Sequence, residues 1–447
     1  MIGNLESSTK ATLDRASAAA VVEHLDRICS HFGDGRWLGV RNVYRTSPVV
    51  ALSDRKPGTG RDRPLQLGDY VAASCPLHLW DGWNYLGLAI HSHICGAVNN
   101  SKHLAYYAEL RAAMSLLASQ GIGVFRNRHC VVEAPGSVSY VGGNGTHAAA
   151  RLYLENWTES KAATELLQRM LRMERESIDE WIKHLRQAGA WQPLGVDLLK
   201  QAGLDLRRMS VDRDARNEAT YRPSGIVPLE DRNATVDAEF LVDVVALLEP
   251  GGSAEAFETL DRFLCRRLVE RAYQTGTGMT VLQHYEPYEN AIGAMVSEFV
   301  DQPMHQDKLE RFLTRQQQPS DPAVLVAAER DGSQFDPDYH LQIIGRAMLL
   351  LRVATGAVRE LFYTANLELQ SLEFWWQNAG LMQGYWPASP ERLDRSEIWA
   401  DVSAGLDDID QWCQSGDDSR HGLLSTCADS VLAATGMARF ALIGLAS

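Results

Sequence analysis

Residues 102–122 read KHLAYYAELRAAMSLLASQGI, and the architecture expected of the chain grows outward from them. Leu104, Tyr107, Ala108, Leu110, Met114 and Leu117 recur at the helical period, Ser101 suits an N-cap, and Gly121 suits the C-terminal stop. A helix is predicted here. Downstream, GVFRNRHCVVEAPGSVSYVGGNG (123–145) alternates around Pro135-Gly136 and predicts a small β-hairpin. One long helical run from His147 to about Ala188 is expected next, then two shorter helices that Pro223 brings to an end. Upstream, residues 9–32 space apolar positions like an amphipathic helix ending at Gly33-Asp34-Gly35. Trp37–Leu52 is rich in Val, Tyr and Trp, as strands are. Ser53–Pro64 reads as a surface loop, and 65–96 as a mixed, aromatic segment with Trp80, Trp83 and Tyr85 in the core.

Beyond about Asp237 the pattern is helical almost throughout, broken at Pro250-Gly251-Gly252, at 276–278, at 316–322 and at 332–337. Short connections between helices predict a bundle. Tyr339–Leu372, apolar on most faces over its first half, should be its central helix. The expected fold class is mainly α: an N-terminal mixed region (1–84) with a small β-hairpin in the chain, a helical middle (85–230), and a C-terminal helical bundle (237–447).

Composition narrows the setting. The chain has 447 residues, 45% apolar and 22% charged, which excludes wholesale disorder, collagen-like repeats and coiled-coil rods. Lys plus Arg number 43 against 57 Asp plus Glu, so at a net charge of −14 the whole molecule repels nucleic acid and anionic membrane. A polyanion site must therefore be a local patch, such as the stretch holding Arg36, Arg41, Arg45, Arg55, Lys56, Arg61 and Arg63; residues 391–418 are acidic in contrast. Seven cysteines without a CxxC pair fit a reducing cytoplasm. Met1–Ala20 lacks the pattern of a secretory signal, and the apolar tail Ser430–Ala446, interrupted by Arg439, reads as a buried helix, so no membrane partner is expected.

Two separated segments carry the clearest chemical pattern. Ala105-Tyr106-Tyr107-Ala108, followed by Ala112-Ala113 and Leu116-Leu117, is joined about a hundred residues later by Ala215-Arg216-Asn217-Glu218-Ala219-Thr220-Tyr221. Over residues 85–230 the chain resembles the HEPN superfamily of small helical bundles, whose signature is Arg, four intervening residues of which the first is usually a polar Asn, then His. Here Arg216, Asn217 and Tyr221 hold those positions, with Tyr in place of His. The resemblance implies that Tyr106 and Tyr107 pack against the helix bearing Arg216, with Tyr107 buried and Arg216 lining a cleft. It also implies Arg216 for phosphate binding, Asn217 for orientation and Tyr221 for proton donation or stacking, in a prokaryotic defence or toxin-type setting. Arg stays protonated and suits only the charge-stabilising task, and a Tyr of ordinary pKa ~10 is a poor base at neutral pH.

Cys75, His78, His91, His93, Cys95, His103, His129 and Cys130 crowd one segment, but their spacing fits no common zinc site, and they read as core residues. No P-loop, GxSxG elbow or HExxH is present, so neither metal nor cofactor is expected. Gly142–Thr146 reads as a turn, and so do Glu286 and Glu289 in HYEPYEN. Two functions follow. The first is a non-catalytic interaction subunit with protein partners or copies of itself, using Trp375 and Trp376 as binding aromatics; the missing His favours it. The second is a metal-independent ribonuclease with Arg216, Asn217 and Tyr221 as catalytic residues, Tyr106 and Tyr107 beside them, and RNA held by Arg55, Lys56, Arg61 and Arg63.

Overall fold

Ser17 caps the first long helix, α1 (Ala18–Cys29), its Oγ accepting from the Ala20 N–H. Val21, Leu25 and Ile28 bury one face of α1, which lies on the 32-residue helix α2 (Arg63–Ile94). A three-residue turn through Gly96, at φ +74°, folds α3 (Val98–Ser119) back along α2. The antiparallel register is set by side chains: Tyr85 stacks on Tyr107, Arg111 donates to His78, and the Ser115 hydroxyl donates to the Cys75 carbonyl. A three-stranded antiparallel sheet follows in the order β1 (Ile122–Gly123), β2 (Arg128–Ala134), β3 (Ser137–Gly142). The expected hairpin is β2–β3, turning where Gly136 takes φ +75°. Next come α4 (Thr146–Thr158), α5 (Met209–Tyr221), α6 (Ala234–Ala246), α7 (Glu258–Thr277), α8 (Pro303–Leu313), α9 (Tyr339–Thr364) and α10 (Glu373–Gln383), with further helices between and after them.

This architecture is a computed structural model that describes residues 5–53, 63–185, 193–224, 226, 232–251, 256–386, 388 and 390–446. About 69% of it is helical and 5% strand, so the chain is mainly α. Arg55, Lys56 and Arg61 of the expected basic patch lie outside the described residues; Arg63 opens α2, half-buried.

The core sits where α9 lies against α2 and α3. Ile343, Ile344, Ala347, Leu350, Leu351 and Ala354 of α9 are wholly buried, and Trp83 of α2 donates its indole N–H to Thr355 at 3.1 Å. Among the described residues α9 is the one unbroken helix long and apolar enough to cross a membrane, and 94% of its most apolar 18-residue stretch is buried inside the protein. Its apolar surface is thus accounted for by packing. The C-terminal half accordingly does not stand apart as a bundle, and the boundary expected at 84/85 falls inside α2.

Several expected segments fold differently. Residues 65–94 are helical, and the glycines within them are contact notches: a Cβ on Gly68 would sit 2.1 Å from His24, on Gly82 2.7 Å from Leu351, and on Gly87 2.0 Å from the Thr435 carbonyl. Trp37–Leu52 forms turns and the start of a short helix, Pro48–Ser53, with no strand among its described residues. The run from 147 is cut at Ser160, whose hydroxyl caps Lys161–Met170, and at Glu174 and Arg175, whose φ of +54° and +71° turn a two-residue strand pair. The tail is a bent pair, Ala428–Thr435 and Arg439–Leu445, the second fully buried.

Candidate active site on the face shared by α3, α4 and α5

Small residues let α5 come close to α3: Ala105, Ala108, Ala112 and Ala113 on one side, Ala215 on the other, all buried. The two helices expected to meet do so. Tyr106 is buried, whereas Tyr107, expected to be buried, is half-exposed. The Arg216 guanidinium lies over both rings, 5.2 Å from the Tyr106 centroid and 5.3 Å from that of Tyr107. Its Nη2 donates to His147 Nε2 at 3.3 Å, and no carboxylate pairs with it among the described residues. His147, the second residue of α4, also bonds the Tyr106 hydroxyl through Nδ1 at 2.7 Å.

The hydrogen bonds assign the tautomers. Arginine only donates, so His147 Nε2 accepts, Nδ1 carries the proton, and the Tyr106 oxygen receives it. On the other side of Tyr107, His103 stacks at 5.0 Å and its Nδ1 meets Thr220 Oγ1 at 3.1 Å. Thr220 gives its own hydroxyl proton to the Arg216 carbonyl, so His103 Nδ1 is the donor and its Nε2 is an open acceptor. Burial, and then the Arg216 charge, hold both imidazoles below the ordinary histidine pKa, with Arg213 adding to the effect on His147. Both are neutral bases at pH 7.

One turn deeper the same helices form a dry cluster. Arg346 of α9 grips Asp212 of α5 with Nε at 2.9 Å and Nη2 at 2.6 Å, and the Tyr339 hydroxyl donates to Asp212 at 2.7 Å. Arg346, Asp212, Tyr339 and Glu109 of α3 are all inaccessible to solvent. No N–H or O–H reaches either Glu109 oxygen. Burial, and then the negative Asp212, raise the Glu109 pKa well above the usual carboxyl range, so Glu109 keeps a proton and donates it to Asp212.

A second buried network joins α2 to the C-terminal half. His93 Nδ1 meets His340 Nε2 at 3.0 Å, with His93 Nε2 3.3 Å from Asp237, which Arg420 also holds at 2.7 Å. Arg232 bridges Asp237 and Asp338. Other members of the Cys/His segment have protein partners too: His129 bonds Phe125 N–H and the Asn144 carbonyl, and Cys75 and Cys130 are buried thiols. Among the described residues no three His, Cys, Asp or Glu side chains group as a metal site.

Some predicted site residues lie elsewhere. Tyr221 ends α5 at 84% exposure, five residues and therefore about 140° around the helix from Arg216, and takes no part in the cluster around it. Asn217, half-buried, makes no side-chain hydrogen bond among the described residues. Trp376 is wholly buried with its N–H on the Leu369 carbonyl, and Trp375 packs edge-on against Trp37 and Trp80 at 5.5 and 5.6 Å. Trp376 is therefore a core residue, and Trp375 is half-buried against the core. Glu286 and Glu289 lie in the helix Tyr285–Phe299 rather than in a turn. His147 was missed because it stands 41 residues from Tyr106 and 69 from Arg216, with no local motif marking it. His103 carried a signal, since positions three and four residues before Tyr106 and Tyr107 share their helix face.

Comparison with protein-family models, with curated proteins and with solved structures finds no match for this chain. The chemistry of this face therefore rests on its residues: a fixed cation, two neutral imidazoles with open or displaceable Nε2 lone pairs, and a half-exposed aromatic ring.

Proposed function

We propose that the cleft binds an RNA phosphodiester and cleaves it without metal, as a HEPN-like ribonuclease in which His147 supplies the base that the Arg216 motif lacks. The observation that carries the reading is the 3.3 Å contact from Arg216 to His147 Nε2. In the resting site the guanidinium occupies the imidazole lone pair. An incoming phosphate competes for the Arg216 donors, because guanidinium–phosphate bonds are charge-assisted and bidentate, and His147 Nε2 is uncovered as they transfer. The uncovered nitrogen takes the proton of the ribose 2′-OH as O2′ attacks phosphorus. The P–O5′ bond then breaks, and the imidazolium returns that proton to O5′ through water, leaving a 2′,3′-cyclic phosphate and a 5′-hydroxyl. Arg216 stabilises the charge on the phosphorane oxygens, Tyr106 holds the His147 ring, and Tyr107 offers a face to a base. The defence or toxin-type setting proposed with this activity comes from the HEPN resemblance alone.

The test is cleavage of a labelled RNA oligonucleotide in EDTA by the full chain, beside a DNA oligonucleotide of the same sequence. RNA should be cut to cyclic-phosphate products and DNA left intact. Arg216→Ala and His147→Ala should each lose roughly a hundredfold in rate. RNA left whole by the wild-type chain, or cut equally by both variants, overturns the reading.

A further inference from the structure

A second cleft, far along the chain from the α3–α5 face, opens between α7 and α8. Thr259, Arg262 and Phe263 of α7 and Lys308 and Phe312 of α8 line it, and Gln317 and Gln318 close one end, around a cavity of about 280 Å³. The residues stand at helical spacings, i, i+3 and i+4 on α7 and i, i+4 on α8, so each helix presents one stripe. None of the lining residues is acidic, although the chain carries 57 acids against 43 bases.

The two cations have donors to spare. Lys308 is exposed and pairs with no carboxylate among the described residues, while the nearest carboxylate to Arg262 is Glu174 at 3.7 Å, itself engaged by His305 at 2.8 Å. The Arg262 Nε is buried without a hydrogen-bond partner. Beneath the cleft the frame is stiff. Arg266, fully buried, stacks on Phe312 at 4.6 Å and donates to the Phe312, Gln318 and Ser320 carbonyls and to Asp321. Arg262 lies over another part of the same ring at 5.5 Å. The loop carrying Gln317 and Gln318 is thus tied down by an arginine paired with Asp321, which Arg267 and Arg315 also hold.

We infer that this cleft is a binding site for a small phosphomonoester carried on a flat apolar group. Two cationic side chains from different helices match a dianion, and the Thr259 hydroxyl and the two carboxamides bring the donor set above what a carboxylate accepts. Phe263 and Phe312 supply the apolar wall, and the volume sits below the range of drug-sized sites, which suits one ring and its phosphate rather than a polynucleotide. The inference does not depend on the ribonuclease reading, because the two clefts share no residue.

Isothermal titration calorimetry of the full chain with phenyl phosphate, benzoate and inorganic phosphate tests it. Phenyl phosphate should bind more tightly than either of the others. Lys308→Ala and Arg262→Gln should each weaken it at least about tenfold, the loss of one charge-assisted bond. Arg216→Ala, in the other cleft, should leave the binding unchanged. Lys308→Ala alters an exposed side chain, so it keeps the test valid should Arg262→Gln fold poorly. The proposal falls if phenyl phosphate does not bind, if Lys308→Ala leaves its affinity unaltered, or if benzoate or inorganic phosphate binds as well.

Discussion

Asp212 and Arg216 stand one turn apart on α5, and their surroundings are opposite in kind. Asp212 is out of reach of solvent and meets a bidentate arginine, a tyrosine hydroxyl and a carboxylic acid. Arg216 is half-buried, lies over two aromatic rings, and has a neutral imidazole where an ion-pair partner would be expected. The inner turn spends every charge on joining α3, α5 and α9. The outer turn keeps its cation available, which is what a site for an anion requires.

That contrast breaks most visibly on the inner turn. Asp212→Ala strands Arg346 in a dry interior and should cost about 3–5 kcal/mol in denaturant unfolding. Replacing both partners together, Asp212→Leu with Arg346→Met, should recover much of that loss, since the desolvation of both ions disappears with them. A cost under about 1 kcal/mol for Asp212→Ala would mean that water reaches Arg346.

The next effect is acid sensitivity at the His93–His340 network, which shows what buried ionisable groups cost when they change charge. Burial holds both rings below the ordinary value; His93 is brought down to about 4 against the pull of Asp237, and His340 is also opposed by His93 and Arg232. Unfolded, both rings gain protons near pH 6.5, so between about pH 6.5 and 4 the unfolded chain holds more protons and stability falls as pH falls. On the order of 2–3 kcal/mol should go through His93, and a His93→Phe variant should show a shallower acid slope in thermal melts.

Smaller effects sharpen the comparison further. Glu109→Gln keeps the shape and a donor to Asp212, so it should fold normally at pH 7. The raised Glu109 pKa means that the unfolded chain releases a proton the folded chain keeps; stability therefore drops as pH rises above about 4.5, and Gln should flatten that part of the curve. Smallest of all should be the stability cost of Arg216→Ala, under about 1 kcal/mol, with RNA cleavage lost. A large unfolding effect there would make Arg216 a structural residue and end the contrast.

The sequence disclosed much of the helical content and one half of the site. The period of residues 102–122 was visible and Gly121 does stop it, whereas Ser101, read as the N-cap, lies buried inside a helix that already begins at Val98; the pairing of Tyr106-Tyr107 with Arg216 was visible through short flanking motifs. The helix α2 was hidden by Gly68, Gly82, Gly87 and Pro76, which resemble breaks in a linear reading; the three glycines serve as crossing points once neighbours are in place. Trp375 and Trp376 misled for the related reason that an aromatic pair near a chain turn looks the same whether it faces water or Trp37 and Trp80. His147 was beyond reach because its role comes from the third dimension alone: the sheet β1–β3 carries the chain across and delivers α4 beside Tyr106.

The burial of α9 also sets a schedule for synthesis. α2 and α3 emerge early, yet the helix that covers their shared groove begins about 220 residues after α3 ends. At translation rates of roughly 5–20 residues per second, that groove waits on the order of ten to forty seconds uncovered. Nascent chains stalled before residue 339 should accordingly recruit ribosome-associated chaperones, and chains long enough for residues 339–364 to have left the ribosome should release them, which makes this soft interval the one in which the protein is most open to misassembly.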